Sequence, residues 1–155
     1  ANEPVGHSYP GKAPMGLEFF YRLAQMAQGV TLILAHWGGG LGFYEILKKE
    51  TRQVLENVYY DTAASPFLYD ASIYAVMCHI VGVEKILMGS DFPLLSPVRY
   101  RREMQAADLS ETQLKAMEGL NAARILASRQ RPLPITENSP GSPAKTCKGD
   151  SSSPG

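Results

Sequence analysis

The sequence predicts an α/β fold built on parallel strands, and three observations carry that expectation. Short apolar runs of strand length alternate with longer stretches of helical periodicity, the pattern that pairs strands through helical crossovers. The strand runs are apolar nearly throughout, which calls for a sheet covered on both faces or for the inside of a barrel. Each run also carries a histidine or an acid at or just past its end, His36 in Val30–His36, Asp61 in Val58–Thr62 and Asp91 after Lys85–Ser90. In α/β sheets and barrels, functional sites form at the carboxyl ends of the strands.

Taken in order, residues 1–14 read as a Gly/Pro-punctuated loop that carries Glu3, His7, Tyr9 and Lys12. Leu17, Phe20, Tyr21, Leu23, Ala24 and Ala27 recur at helical spacing over residues 15–28, and Gly29 is the expected stop. Strand Val30–His36 follows with almost no linker, and Gly38-Gly39-Gly40 lets the backbone turn off it. A helix is expected over Phe43–Glu56, with Lys48, Lys49, Glu50 and Arg52 on its wet face, and then strand Val58–Thr62. Ser65-Pro66 opens a helix over Leu68–Val81, closed by Gly82. Strand Lys85–Ser90 precedes Asp91, and Pro93 forbids its continuation. Helices are expected over Val98–Ala107 and over Glu111–Met117, the latter with Ser110 as N-cap. Asn121–Ala127 forms a last apolar turn or two. Residues 1–127 make one domain. Residues 128–155 form a Pro/Ser/Gly-rich tail with too little apolar mass to offset its ordering entropy, and disorder is expected there.

Composition narrows the function classes. The chain has 155 residues, with 15 basic and 15 acidic side chains, so it lacks the basic excess of a nucleic-acid binder. Hydrophobic residues make up 45%, enough for a core, and no apolar run approaches a membrane span of about 20 residues. No secretory leader is read at the N-terminus, and, with no initiating Met, a start upstream is expected. Two cysteines, Cys78 and Cys147, form no disulfide framework, and a cytoplasmic setting is expected.

Three strand ends thus present His36, Asp61 and Asp91. Imidazole and carboxylate are ligands for a divalent ion and also a general acid/base pair. An ion that lowers the pKa of the water it holds supplies a nucleophile at neutral pH. Plainer roles stand beside these. His36 can bond a neighbouring carbonyl, Asp61 can cap the turn Asp-Thr-Ala-Ala-Ser-Pro, and Asp91 can cap its own loop. His79, among Met77, Cys78, Ile80 and Val81, reads as a packing histidine, and Cys78 as a small buried hydrophobe. His7, Tyr9 and Lys12 either face substrate or belong to the loop's own fold. Gly38–Gly40 suggests a phosphate cradle, but no Lys-Ser/Thr follows.

Five stretches carry a resemblance: Glu3-Pro-Val-Gly-His-x-Tyr-Pro-Gly-Lys12, Leu34-Ala-His-Trp-Gly-Gly-Gly40, Tyr59-Tyr-Asp-Thr-Ala-Ala64, Leu87-Met-Gly-Ser-Asp-Phe-Pro93 and Asn121-Ala-Ala-Arg124. Together, over residues 1–127, they resemble the amidohydrolase-related family, the branch with aminocarboxymuconate-semialdehyde decarboxylase and related metal-dependent hydrolases and decarboxylases. The resemblance implies a (β/α)8 barrel of TIM type with a divalent metal, zinc first and manganese second, at its carboxyl rim. By position, His36 matches the histidine after the sixth strand, acting in catalysis or near the metal. Asp91 matches the acid after the eighth, a metal ligand and proton shuttle. Asp61 falls on the seventh strand, where the family has no shared ligand. The Glu3–Lys12 loop, with His7 after the fifth strand, is the substrate-facing candidate.

The chain departs from the family in its expected metal ligands. The His-x-His pair of the family's first strand has no counterpart, and the histidine expected before Glu3-Pro4 would precede Ala1. A complete barrel takes roughly 200 residues or more. The expectation is therefore a C-terminal portion with the last three strands and their helices. The intact enzyme would act on a small carboxylated or cyclic compound as a homo-oligomer, with no membrane or nucleic-acid partner, and this portion alone would be inactive. The competing readings are a non-catalytic remnant acting as an association module, and a phosphate-binding α/β domain using Gly38–Gly40. Three strands leave edges and an inner face open, so the isolated chain is expected to self-associate. Sedimentation should show mass rising with concentration, and a clean monomer with a cooperative thermal transition would refute the idea.

Overall fold

The computed structural model describes residues 15–129. The Glu3, His7, Tyr9 and Lys12 loop and the tail from Gln130 lie outside the described residues. In order, the chain forms α1 (Leu17–Met26), β1 (Leu32–Leu34), a 3₁₀ segment (His36–Ile46), α2 (Lys49–Val54) and β2 (Val58–Asp61). It continues with α3 (Ser65–Leu68), α4 (Ile73–Val81), a 3₁₀ turn (Val83–Lys85), β3 (Ile86–Leu87), α5 (Pro97–Ala106), α6 (Glu111–Lys115), a π-helical turn (Ala116–Leu120) and α7 (Asn121–Arg129). The three strands form one parallel sheet in the order β1-β2-β3. Leu34 pairs with Tyr60, and Tyr60 with Ile86.

That register sorts the side chains by face, because alternate residues point oppositely. Leu34, Val58, Tyr60 and Ile86 are buried and pack with Phe20, Ala24, Trp37, Leu41, Tyr74, Met77, Met104 and Met117. On the opposite face Ile33 is 51% exposed, Tyr59 is half-buried, and Leu87 is shielded. Among the described residues the helices thus cover one face. The expectation of a sheet enclosed on both faces is not met by these residues, and the open face is the one that would line a barrel. No helix among them is long and apolar enough to cross a membrane.

The strands are shorter than their apolar runs. The ladder covers only Leu32–Leu34 of the run Val30–His36, and the Asn57 side chain instead takes up the carbonyls of Ala27 and Val30. Past Leu87 the chain leaves the ladder, with Met88 N donating to Met117 O and Gly89 exchanging hydrogen bonds with Thr62. Two expected helices are broken. Phe43–Glu56 divides at Leu47 and Lys48, which take extended backbone angles. Leu68–Val81 divides at Tyr69, also extended, and restarts where Asp70 Oδ1 accepts Ser72 N–H. That bond holds the Asp70 carboxyl below its ordinary range. The remaining helices follow the periodicity closely, and Ser110 forms a complete capping box with Gln113. The Asn121-Ala-Ala-Arg124 motif anchors β3. Asn121 Nδ2 donates to the carbonyls of Val83 and Ile86, and Arg124 to that of Glu84.

At the amino end of the sheet lies a buried charge pair. Glu45 is 2% exposed. Its carboxylate accepts Lys85 Nζ at 3.1 and 3.2 Å and the Tyr60 hydroxyl at 3.0 Å. Lys85 also donates to Leu55 O at 3.0 Å. This pair fastens the end of the 3₁₀ segment to the start of β3. Burial pushes the Glu45 carboxyl above its ordinary value of 4.5, outweighing the opposing pull of Lys85. The folded chain therefore holds that proton more tightly than the unfolded one. Stability from this site is present below 4.5 and is lost as pH rises through the folded value. Lys85→Met, which leaves Glu45 buried without its cation, should lower stability by about 3 kcal/mol at pH 7.5. The deficit should be smaller near pH 5, where the carboxyl can take up a proton. Urea unfolding at both pH values checks this, and equal losses would refute it.

Candidate active site

The carboxyl end of the sheet is assembled from three loops, one leaving each strand. After β1, Ala35 is extended. His36 and Trp37 then adopt left-handed angles (φ 57° and 55°), and Gly38, Gly39 and Gly40 continue with positive φ. Gly38 is required here. A Cβ on it would lie 3.0 Å from the Tyr60 ring, and its φ of +67° disfavours any other residue. The glycine run is thus packed on β2 and turns the chain beneath His36. Trp37 is fully buried, meets Tyr74 edge-on at 5.6 Å, and donates its indole N–H to Ser65 Oγ at 2.7 Å. Ser65 in turn donates to Thr62 O at 2.5 Å.

After β2, the Asp61 carboxylate does structural work. Its Oδ1 accepts the backbone N–H of His36 at 3.0 Å and of Ala63 at 2.9 Å. These bonds favour the left-handed turn at His36 and hold the first loop against the second. Glycine at residue 89 leaves room for Asp61, since a Cβ there would stand 3.0 Å from Asp61 Cγ. Thr62 completes the join to the third loop, with its hydroxyl donating to Gly89 O (2.9 Å) and accepting Gly89 N–H (3.1 Å). The turn-capping alternative for Asp61 accounts for its bond to Ala63 N–H but not for the one to His36 N–H, and α3 itself has no side-chain cap.

After β3, Asp91 also has a left-handed backbone (φ 56°), and its carbonyl accepts Leu94 N–H at 2.8 Å. The result is that His36 Nε2 and Asp91 Oδ2 stand 3.8 Å apart. The histidine side chain is 21% exposed and the carboxylate 46%. That spacing is too long for a direct hydrogen bond. It is short enough for one divalent ion, with bonds of about 2.0–2.2 Å, to touch both. The donor set, one imidazole nitrogen and one carboxylate oxygen, suits zinc or manganese. Among the described residues no group of three or more His, Cys, Asp or Glu side chains gathers to hold a metal, so His36 and Asp91 fit as two members of a ligand set.

Other sequence candidates fall elsewhere. His79 is exposed on α4 and is not a packing histidine, because the helix presents Met77 and Val81 to the core and leaves His79 outward. Cys78 packs against the core, and burial pushes its thiol up to about 11. Sequence reading missed Tyr100, a fully buried residue of α5. Its hydroxyl accepts Ala64 N–H at 2.8 Å and donates to Ser90 O at 2.9 Å. A Tyr one turn into a helix gives no local signal of partners 36 and 10 residues away. If Asp61 is the clamp described, Asp61→Ala should cost about 2 kcal/mol by leaving two N–H groups without an acceptor. Exchange of the His36 and Ala63 amides should quicken selectively, as amide hydrogen exchange would show. Unchanged protection of both would refute the clamp.

The family model described as Amidohydrolase matches residues 6–127. No curated protein matches the chain in sequence. Among solved structures, a manganese-bound dihydroxybenzoic acid decarboxylase from a Polaromonas species, with the inhibitor 2-nitroresorcinol, matches with TM-score 0.60 and 17% identity, over 74% of this chain and 40% of that one. The 5-carboxyvanillate decarboxylase of Sphingomonas paucimobilis matches with TM-score 0.56 and 18% identity, over 70% and 38%. The 2,6-dihydroxybenzoate decarboxylase from Rhizobium matches with TM-score 0.53 and 16% identity, over 64% and 35%. At such identities the likeness shows the fold. The chain spans about a third to two-fifths of the length of these structures.

Proposed function

Because the chain belongs to the amidohydrolase family across residues 6–127, we propose that it is the carboxyl-end portion of a (β/α)8 barrel enzyme. Its three strands are the last three of that barrel, and the enzyme is a metal-dependent hydrolase or decarboxylase acting on a small carboxylated or cyclic compound. The observation that carries this reading is the approach of His36 Nε2 to Asp91 Oδ2 at the carboxyl rim of a parallel sheet. The three decarboxylases of similar fold favour loss of a carboxylate over hydrolysis, and the manganese in one of them puts manganese beside zinc.

In this reading His36 and Asp91 hold the ion together with donors outside the described residues. A divalent ion in that position supplies Lewis acidity, drawing charge off a substrate oxygen. The chain's own residues do the rest. The left-handed turn held by Asp61 aims the imidazole at the rim. Asp91, more open to solvent, takes or returns a proton beside it. Glu3, His7, Tyr9 and Lys12 contribute to the substrate loop. The substrate is a small molecule, and the intact enzyme is a cytoplasmic homo-oligomer.

A second reading is favoured by the open sheet face around Ile33, namely a non-catalytic association module. Turnover decides between them. In the protein expressed from its whole reading frame, with manganese or zinc supplied, carbon dioxide release from a panel of hydroxybenzoates should fall about 10²–10⁴-fold in His36→Ala and in Asp91→Ala. Far-UV circular dichroism should be unchanged. Activity that survives both substitutions, or that is absent from the unaltered protein on every metal, would overturn the enzyme reading.

A further inference from the structure

We propose that Tyr100 is a positioning residue for Asp91, a hydroxyl clamp on α5 that sets the carboxylate of the third loop in its place across from His36. The role rests on the reading of His36 and Asp91 as a metal-facing pair. Its evidence is geometric. The Tyr100 hydroxyl is enclosed behind the rim and spans two loops at once, accepting Ala64 N–H at 2.8 Å and donating to Ser90 O at 2.9 Å. Ser90 is the residue directly before Asp91. Ala64 closes the turn that begins at Asp61, and it too has a left-handed backbone (φ 56°).

The two bonds act at points where the backbone conformation is least favoured. Asp91 and Ala64 are both non-glycine residues at positive φ, a conformation that costs about 1–2 kcal/mol and persists only where surrounding contacts hold it. The Thr62 and Gly89 exchange fixes the third loop two residues before Asp91. Nothing else described ties Ser90 to the second loop, so the peptide that aims Asp91 is held by the phenol. The phenol donates its proton to Ser90 O and accepts Ala64 N–H, so both functions of the hydroxyl are used. The hydroxyl is buried and its two partners are backbone groups of the rim loops, so it acts through the backbone.

Tyr100→Phe removes the hydroxyl and keeps the ring. Met104→Ala, one turn along the same helix, serves as a control that weakens the core with the hydroxyl bonds intact. Asp91→Asn reports on the metal reading itself. Amide exchange and Mn²⁺ affinity by electron paramagnetic resonance are measured on the protein expressed from its whole reading frame. Tyr100→Phe should quicken exchange at the Ala64 and Leu94 amides and weaken Mn²⁺ binding 10–100-fold, the usual effect of removing a group that orients a ligand. Met104→Ala should do neither selectively. Unchanged exchange at both amides overturns the proposal, as does unchanged Mn²⁺ affinity in Tyr100→Phe where Asp91→Asn loses it. If Asp91→Asn binds Mn²⁺ as the unaltered protein does, the metal reading fails. The exchange data then decide alone whether Tyr100 fixes the Asp91 loop.

Discussion

The arrangement at the carboxyl end of the sheet depends on one carboxylate oxygen. Asp61 Oδ1 accepts the N–H groups of His36 and Ala63, and so joins the loop leaving β1 to the loop leaving β2. A carboxylate accepting two backbone N–H groups is a strong, charge-assisted anchor. Around it the sequence is shaped by exclusion. Gly89 has no side chain where the Asp61 carboxyl lies, and Gly38 has none where the Tyr60 ring lies. With the Thr62 to Gly89 exchange and the Tyr100 bridge added, three loops that share no backbone ladder are held as one rim.

The amino end of the same sheet is fastened differently. There the tie is the buried Glu45 and Lys85 pair, completed by the Tyr60 hydroxyl and Leu55 O. A buried pair of this kind is weak evidence for net stability, because desolvation opposes the attraction between the charges. What it does supply is a specific register between the 3₁₀ segment and β3. Tyr60 links the two ends, since its ring lies against Gly38 and its hydroxyl reaches Glu45. In barrels of this architecture the amino ends of the strands serve stability, and the buried pair stands at that end here.

Between the ends, the sheet is covered by helices on one side among the described residues. A three-stranded parallel sheet with Ile33 outward is consistent with part of a barrel, and the chain covers 40% and 38% of the length of two structures of similar fold. The His36 and Asp91 pair stands at the carboxyl end of that sheet, 3.8 Å apart.

The sequence by itself determined the alternation of helices and strands, their parallel pairing, and the placement of His36, Asp61 and Asp91 at strand ends. All of these follow from local patterns, namely apolar period, glycine and proline stops, and the Ser110 cap. Tertiary structure decided the rest. It shortened the runs Val30–His36 and Lys85–Ser90 to Leu32–Leu34 and Ile86–Leu87, because ladder length depends on the partner strand as well as on the run itself. It broke two helices, at Leu47 and Tyr69, and turned His79 outward. It also gave Asp61 its His36 partner, and Glu45 and Tyr100 theirs, at separations of 10 to 40 residues. A hydrogen bond across such separations is set by packing, and no periodicity in the chain records it.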